Sequence, residues 1–125
     1  GVIGAITPFN VPMNLALHKI GPALAAGNAL VHKPAEKTPL SASRLARALE
    51  EAGAPRGAYN LVNGYGPVLG PRMATHPGID MLTFTGSAAV GKSLKAAAGM
   101  KKVTLELGNN SAAILEPDTD LDWAV

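Results

Sequence analysis

Short apolar runs alternate with longer helical patterns along the chain, and this alternation limits the possible folds more than any other feature. The runs predicted as strands are Val2–Thr7, Ala29–Lys33, Ala58–Val62, Met81–Thr85 and Val103–Leu107, with a further run at Ala112–Leu115. They are apolar on both faces, as strands buried in a parallel sheet are. The helices predicted between them are Met13–Ala26, Ser41–Ala52, Pro67–Thr75 and Ala88–Ala98. Gly27, Gly53 and Gly99 follow three of these helices and are natural helix ends.

Alternating strands and helices predict right-handed crossovers, a parallel sheet and helices on both of its faces. We therefore expect one Rossmann-like, three-layer α/β domain with a mainly parallel sheet over residues 1–125. The sequence starts inside a predicted strand and ends at Leu121–Val125, which resembles the start of a helix in which Trp123 would pack. We expect a partial domain, truncated at both ends.

Composition and charge exclude several classes of protein. The chain is 47% hydrophobic but only 4% aromatic, so its core must be aliphatic and rich in alanine. A net charge of +2 is too small to indicate binding to nucleic acid or to a membrane surface. The chain contains no cysteine, and His18, His32 and His76 are too scattered to form a metal site. No signal peptide or membrane-spanning run is visible, so we expect a cytoplasmic protein.

Two glycine-rich turns follow predicted strands, at the sheet edge where ligands bind in folds of this kind. Gly86–Ser93 matches the P-loop pattern G-x-x-x-x-G-K-S and opens a helix. It follows the fourth strand, however, whereas a P-loop usually follows an early strand. Gly64–Gly70 resembles a dinucleotide fingerprint with one extra residue. The two turns together favour a dinucleotide ligand, and a P-loop NTPase is the alternative.

Five segments together resemble the aldehyde dehydrogenase superfamily, whose members depend on NAD(P). In chain order they are "GAITPFNVP", "GPALAAGNALVHKPAEKTPLSA", "GYGPVLG", "FTGSAAVGK" and "VTLELG". The resemblance covers essentially the whole chain and implies most of the cofactor-binding domain of such an enzyme. Members oxidise an aldehyde to a carboxylic acid through a cysteine thiohemiacetal and a thioester. The chain stops before that cysteine, so we expect it to be inactive alone. A stand-alone, non-catalytic dinucleotide-binding module is the other alternative.

The resemblance implies two catalytic residues. Asn10 matches the asparagine whose side-chain amide helps to hold the oxyanion, a task that suits a neutral donor fixed in advance. Glu106 matches the glutamate that acts as general base toward water or the cysteine. Simpler interpretations are a turn or helix cap for Asn10 and an ion pair or a solvated strand-end side chain for Glu106. The sequence departs from the family at Asn109, where a second glycine is usual; asparagine tolerates a positive φ better than most residues.

The resemblance also implies a set of cofactor contacts. Lys33 and Glu36 would contact the adenosine ribose, and a carboxylate there favours NAD over NADP without excluding NADP. The simpler interpretation is a surface pair between residues i and i+3. Gly86 and Ser87 would receive the pyrophosphate, so Lys92 and Ser93 need no phosphate role and should be exposed. The full set is Ile6, Thr7, Pro8, Phe9, Lys33, Glu36, Gly66, Pro67, Phe84, Gly86, Ser87, Val90 and Leu107.

The expected partner is a small-molecule aldehyde, with no nucleic acid and no membrane. The phrase "TPFNVPMNLALHK" is similar to the branch that handles small oxygenated aldehydes, such as lactaldehyde or phosphorylated trioses. The resemblance implies that the parent enzyme is a homodimer or homotetramer.

Overall fold

The computed structural model describes residues 1–124. Strands and helices alternate through this part of the chain, as the sequence predicts. The elements are β1 (Val2–Ile6), α1 (Pro12–Ala25), β2 (Ala29–Lys33), α2 (Pro39–Glu51), β3 (Tyr59–Leu61), α3 (Gly66–Thr75), β4 (Met81–Thr85), α4 (Ala88–Ala97), β5 (Lys102–Glu106) and α5 (Leu121–Ala124).

The five strands form one parallel sheet in the order β3-β2-β1-β4-β5. The chain starts at the centre, builds outward to β3, then returns past β1 to add β4 and β5. Because parallel crossovers are right-handed, this reversal puts α1 and α2 on one face and α3 and α4 on the other. The predicted three-layer α/β fold is therefore confirmed. The reversal also opens a crevice beyond the carboxyl ends of β1 and β4, where such folds bind ligands.

Two hydrophobic cores cover the two faces of the sheet, because successive strand side chains point to opposite sides. On one face, Leu82 and Phe84 of β4 pack against Met73 of α3 and Leu94 of α4. On the other face, Ala5 and Leu30 pack against α1 through Ala16, Ile20 and Ala23. Small alanines allow α1 to lie close to the sheet, as the composition predicts.

The predicted helix ends at glycine are confirmed. Gly27, Gly53 and Gly99 follow α1, α2 and α4 with φ angles of 72°, 80° and 58°. A residue with a side chain rarely adopts such angles, so these positions favour glycine. The observed bounds of the elements otherwise differ from the predicted ones by a few residues at most.

For the last part of the chain, the predicted helix start at Leu121 is confirmed by α5, and two other predictions are wrong. Ala112–Leu115 is not a strand, and residues 107–120 contain no regular element. Trp123 does not pack, since it is 86% exposed and α5 buries none of its residues. Val125, the last residue of that predicted helix, lies outside the described residues. An apolar run becomes a strand or a packed helix only where a neighbouring element covers it, and within residues 1–124 none covers this one.

Two further expectations are resolved by the backbone. Asn109 does not use a positive φ, because every positive-φ residue in the described part of the chain is a glycine. No helix within residues 1–124 has the length and apolar character to cross a membrane.

Candidate functional site

A cleft of about 620 Å³ lies beyond the carboxyl ends of β1, β2 and β4, bordered by the first turns of α3 and α4. We call it the β1–β4 cleft. Twelve of the thirteen predicted cofactor residues line it; they are Ile6, Thr7, Pro8, Phe9, Lys33, Glu36, Gly66, Pro67, Phe84, Gly86, Ser87 and Val90. The thirteenth, Leu107, lies outside this cleft, and its side chain packs against Gly91 of α4. The structure thus brings together residues that are up to 84 positions apart (Ile6 to Val90).

A network of Lys33, Glu36 and Gly66 joins the end of β2 to the start of α3. The Lys33 side chain is only 3% exposed, and its Nζ lies 3.3 Å from Glu36 Oε1. The same Nζ donates to the Pro34 carbonyl oxygen at 2.9 Å. The Gly66 N–H also donates to Glu36 Oε1.

These contacts keep the Glu36 carboxylate charged and fixed at the cleft. Its own backbone N–H does most to lower the pKa of Glu36, desolvation opposes this, and the Gly66 N–H and Lys33 lower it further. Hydrogen bonds and cations stabilise the charged form of a carboxyl group.

The first turn of α4 forms another wall of the β1–β4 cleft. Ser87 is the N-cap residue, and its hydroxyl accepts a hydrogen bond from the Val90 N–H at 3.4 Å. The other N–H groups of the first turn have no partner within the helix, and the helix dipole is positive at this end. A side chain at Gly86 would clash with Phe84 unless the ring or the turn moved, since its Cβ would lie 2.5 Å from Cζ of Phe84. This part of the cleft can accept an anionic group.

The P-loop alternative does not fit this turn. Helix α4 starts at Ala88, so four of the residues between Gly86 and Lys92 are already helical and cannot form a loop around a phosphate. Lys92 and Ser93 are exposed, as expected, although Ser93 also lines the rim of the cleft.

A second cleft, of about 420 Å³, lies on the opposite face of the sheet beside β5, and we call it the β5 cleft. Both predicted catalytic residues, Asn10 and Glu106, line it. Val11, not Asn10, is the N-cap of α1, and no side chain caps that helix. The ion pairs within residues 1–124 are Lys33–Glu36 and Arg47–Glu51, so Glu106 belongs to none of them. A helix cap at Asn10 and an ion pair at Glu106 therefore find no support. Asn10 does lie in a bend, and Glu106 is an exposed side chain at the end of β5, so a turn residue and a solvated strand-end glutamate agree with the structure.

Lys19 of α1 gives the β5 cleft a positive charge. Its Nζ donates to Thr83 Oγ1 at 3.0 Å, and both residues line the cleft. Burial lowers the pKa of Lys19, and the nearby Glu106 carboxylate opposes this shift. The cleft therefore combines a neutral amide, a carboxylate and an ammonium group around one space.

Comparison with known proteins identifies the family. The model of the aldehyde dehydrogenase family matches residues 1–125. The chain belongs to the aldehyde dehydrogenase family. It is 53% identical over 124 residues to a 3-sulfolactaldehyde dehydrogenase of Priestia aryabhattai, and this covers 99% of the chain and 26% of that relative. It is 52% identical over 128 residues to mouse aldehyde dehydrogenase 1A1, again over 26% of the relative's length.

Solved aldehyde dehydrogenases share the fold. A mutant of aldehyde dehydrogenase C from Pseudomonas syringae, complexed with NAD+ and octanal, superposes with a TM-score of 0.89 at 48% identity. That match covers 96% of this chain and 25% of that one. A glyceraldehyde-3-phosphate dehydrogenase from Methanocaldococcus jannaschii, complexed with NADP, has a TM-score of 0.81 at 47% identity, over 87% of this chain and 25% of that one. The chain thus spans about a quarter of the length of these relatives.

Several residues of this aldehyde dehydrogenase chain line the clefts although they belong to none of the predicted site residues. Lys19, Thr83, Thr85 and Thr104 line the β5 cleft. The sequence could have predicted that two of the threonines lie together, because Thr83 and Thr85 are two residues apart in an apolar strand and must face the same side of the sheet. Ala35, Gly70 and Pro71 line the β1–β4 cleft but carry no chemical signal of their own.

Proposed function

We propose that the chain is the cofactor-binding part of an NAD(P)-dependent aldehyde dehydrogenase that oxidises an aldehyde to a carboxylic acid. The observation that carries the proposal is the pairing of the two clefts at one edge of the sheet. The β1–β4 cleft offers a fixed carboxylate and a free helix start, and the β5 cleft offers an amide and a carboxylate. The β1–β4 cleft would thus bind a charged dinucleotide, and the neighbouring β5 cleft would carry out the acid–base chemistry.

The β1–β4 cleft fits the adenosine and pyrophosphate parts of a dinucleotide. Its walls are largely apolar, the first turn of α4 can hold the pyrophosphate, and Glu36 and Lys33 can bind the ribose hydroxyls. When bound, the nicotinamide supplies the hydride acceptor for the oxidation. Gly86 lines the cleft without a side chain, and the lack of a side chain allows a phosphate to approach the backbone closely.

We propose NAD as the preferred cofactor. The Glu36 carboxylate is held by the Gly66 N–H and by Lys33, so turning it aside to admit a 2′-phosphate would break both contacts. A fixed negative charge repels that phosphate and accepts hydrogen bonds from ribose hydroxyls. NADP is the second candidate cofactor, since the family includes solved complexes with each.

In the β5 cleft, we assign two roles to the residues of this chain. The Asn10 amide donates to the oxygen that becomes negatively charged when the aldehyde is attacked. Glu106 accepts a proton from the attacking water or from the thiol nucleophile. The 125 residues contain no cysteine, so the proposal places that nucleophile outside this chain and predicts no turnover by the chain alone.

The proposed substrate is a small-molecule aldehyde. Relatives named for 3-sulfolactaldehyde and lactaldehyde support trying short oxygenated aldehydes first. Homodimer or homotetramer formation and a cytoplasmic location stay predictions from the sequence.

The test is NADH formation by the longer protein that contains this chain, with a panel of short and long aldehydes. Asn10→Ala should lower kcat by about 10²- to 10³-fold, the usual loss for one oxyanion donor. Glu106→Gln should lower kcat by about 10²-fold or more. Glu50→Gln is the matched control, because Glu50 is exposed on α2 and lines neither of the two clefts. Full activity of the Asn10 and Glu106 variants would contradict the assignment.

A further inference from the structure

A buried polar chain of three side chains crosses the centre of the sheet, on the face covered by α1 and α2. The His32 ring is fully buried in β2. Its Nε2 lies 2.8 Å from Thr7 Oγ1, at the end of β1, and its Nδ1 lies 2.6 Å from the Tyr59 hydroxyl in β3. Thr7 is only 3% exposed. One side chain thus links three neighbouring strands.

The surroundings keep this ring neutral and its hydrogen bonds ordered. Burial, then the positive charges of Lys33 and Lys19, lower the pKa of His32 to about 4. Burial also raises the pKa of Tyr59 to about 12. A neutral imidazole has one donor and one acceptor nitrogen, so if the Tyr59 hydroxyl donates to Nδ1, then Nε2–H donates to Thr7.

Thr7 is the last fixed point before the loop that leads to both clefts. Its backbone N–H donates to the Lys33 carbonyl oxygen at 3.2 Å, and its side chain is bonded to His32. Within residues 1–124, no hydrogen bond joins residues 8–10 to another part of the chain. The first helical bond after them is Leu15 N–H to the Val11 carbonyl oxygen at 3.0 Å. Lys37 Nζ lies 4.8 Å from the centroid of the Phe9 ring, and apart from this contact the position of the loop depends on how firmly Thr7 is held.

We propose that His32 is a positioning residue that fixes Thr7 and, through it, the loop carrying Phe9 into the β1–β4 cleft and Asn10 into the β5 cleft. The inference rests on the proposed function for its effect on catalysis, through Asn10. Its structural part does not, because the bonds of His32 to Thr7 and Tyr59 exist whatever the clefts bind. A merely space-filling role would be served as well by leucine at this position.

The test uses the longer protein with His32→Leu, which removes both bonds, and His32→Gln, whose amide can still reach Thr7. Peptides covering residues 5–10 should exchange their amide hydrogens about tenfold faster in His32→Leu, while peptides from β4 and α4 stay unchanged. His32→Gln should restore most of the protection. Unchanged exchange at residues 5–10 in His32→Leu would overturn the proposal.

Kinetics provide the second readout. His32→Leu should lower kcat about tenfold with little change in the KM of the aldehyde, because a small displacement of a catalytic group is costly. In a protein that already carries Asn10→Ala, His32→Leu should cause no further loss of kcat, since both substitutions act through the Asn10 amide. Losses that multiply in the double variant would overturn the proposal.

Two further outcomes are decisive. If the wild-type protein oxidises no aldehyde, the proposed function fails, and hydrogen exchange alone decides the role of His32. If His32→Leu does not fold, Thr7→Val removes the same bond from the other side, and its exchange at residues 5–10 decides in the same way.

Discussion

Substituting Gly86 by alanine should damage both the fold and the β1–β4 cleft. The added Cβ would lie 2.5 Å from Cζ of Phe84 and 3.2 Å from the two neighbouring ring carbons. Carbon atoms in contact prefer about 3.5–4.0 Å, so the ring or the turn must move by about 1 Å. Phe84 is only 5% exposed, and α4 approaches it so closely that a Cβ at Gly91 would lie 3.4 Å from the same ring. The ring therefore has little room to move toward α4.

The cost follows from this overpacking. Extra carbon atoms in a packed core usually cost about 1–3 kcal/mol. Replacing glycine also restricts the unfolded chain, and this offsets about 0.4–1 kcal/mol of the stability lost by overpacking. We expect Gly86→Ala to lower the free energy of unfolding by about 1–2 kcal/mol in urea titrations followed by circular dichroism. Displacement of the turn should also weaken NAD+ binding about tenfold or more, which corresponds to about 1.4 kcal/mol.

Gly108→Ala is the matched control for stability. Gly108 has no positive φ, and a Cβ there meets nothing within 4 Å. The same substitution should therefore leave the free energy of unfolding unchanged or raise it slightly. The reasoning is refuted if Gly86→Ala unfolds at the same urea concentration as the unsubstituted chain and binds NAD+ equally well.

Four further predictions follow from individual contacts. Leu82→Ala removes a fully buried side chain from the core between β4, α3 and α4, and it should lower the free energy of unfolding by about 2–5 kcal/mol in urea titrations. Arg47→Ala breaks an exposed ion pair on α2 and should change stability by no more than about 0.5 kcal/mol; a larger loss would show that this surface contact was underestimated. Glu36→Gln removes the charge that opposes a 2′-phosphate, so the ratio of kcat/KM for NAD+ to that for NADP+ should fall about tenfold; an unchanged ratio would place cofactor selection elsewhere. Burial lowers the pKa of His32 in the folded chain from its ordinary 6.5 to about 4, so the unfolded chain takes up a proton first as the pH falls. The neutral His32 therefore contributes fully to the free energy of unfolding above pH 6.5, and up to about 3 kcal/mol of this is lost as the pH falls to about 4. His32→Gln should flatten the plot of the free energy of unfolding against pH between these two values.

Much of the fold could be predicted from local patterns, because the three central strands β1, β2 and β4 have no exposed residue and each main helix has a clear end. The edge strand β5 departs from the expected pattern, since its alternate residues Lys102, Thr104 and Glu106 are exposed. Gly27, Gly53 and Gly99 mark helix ends by a backbone conformation that other residues avoid. The predictions for Ala112–Leu115 and Trp123 were wrong for the opposite reason. Apolar residues predict packing against another element, but their own sequence does not indicate which element that is.

The candidate site was predictable where a residue type and its place after a strand carry chemical meaning. Glu36, Ser87 and Glu106 are of this kind. The link from Thr7 through His32 to Tyr59 was not, because its members are 25 and 27 residues apart and only the strand order brings them together. Lys19 was missed for a similar reason. Its place in a largely apolar helix gives no hint that its amine reaches Thr83, which lies 64 residues away along the chain.

The central claim is that the β1–β4 cleft holds a dinucleotide, and a crystal structure of the longer protein with NAD+ bound tests it most directly. The account predicts the adenosine ribose within hydrogen-bond distance of the Glu36 carboxylate, and the pyrophosphate against Gly86, Ser87 and the first turn of α4. A dinucleotide bound at another place, or a ribose with no contact to Glu36, would contradict it.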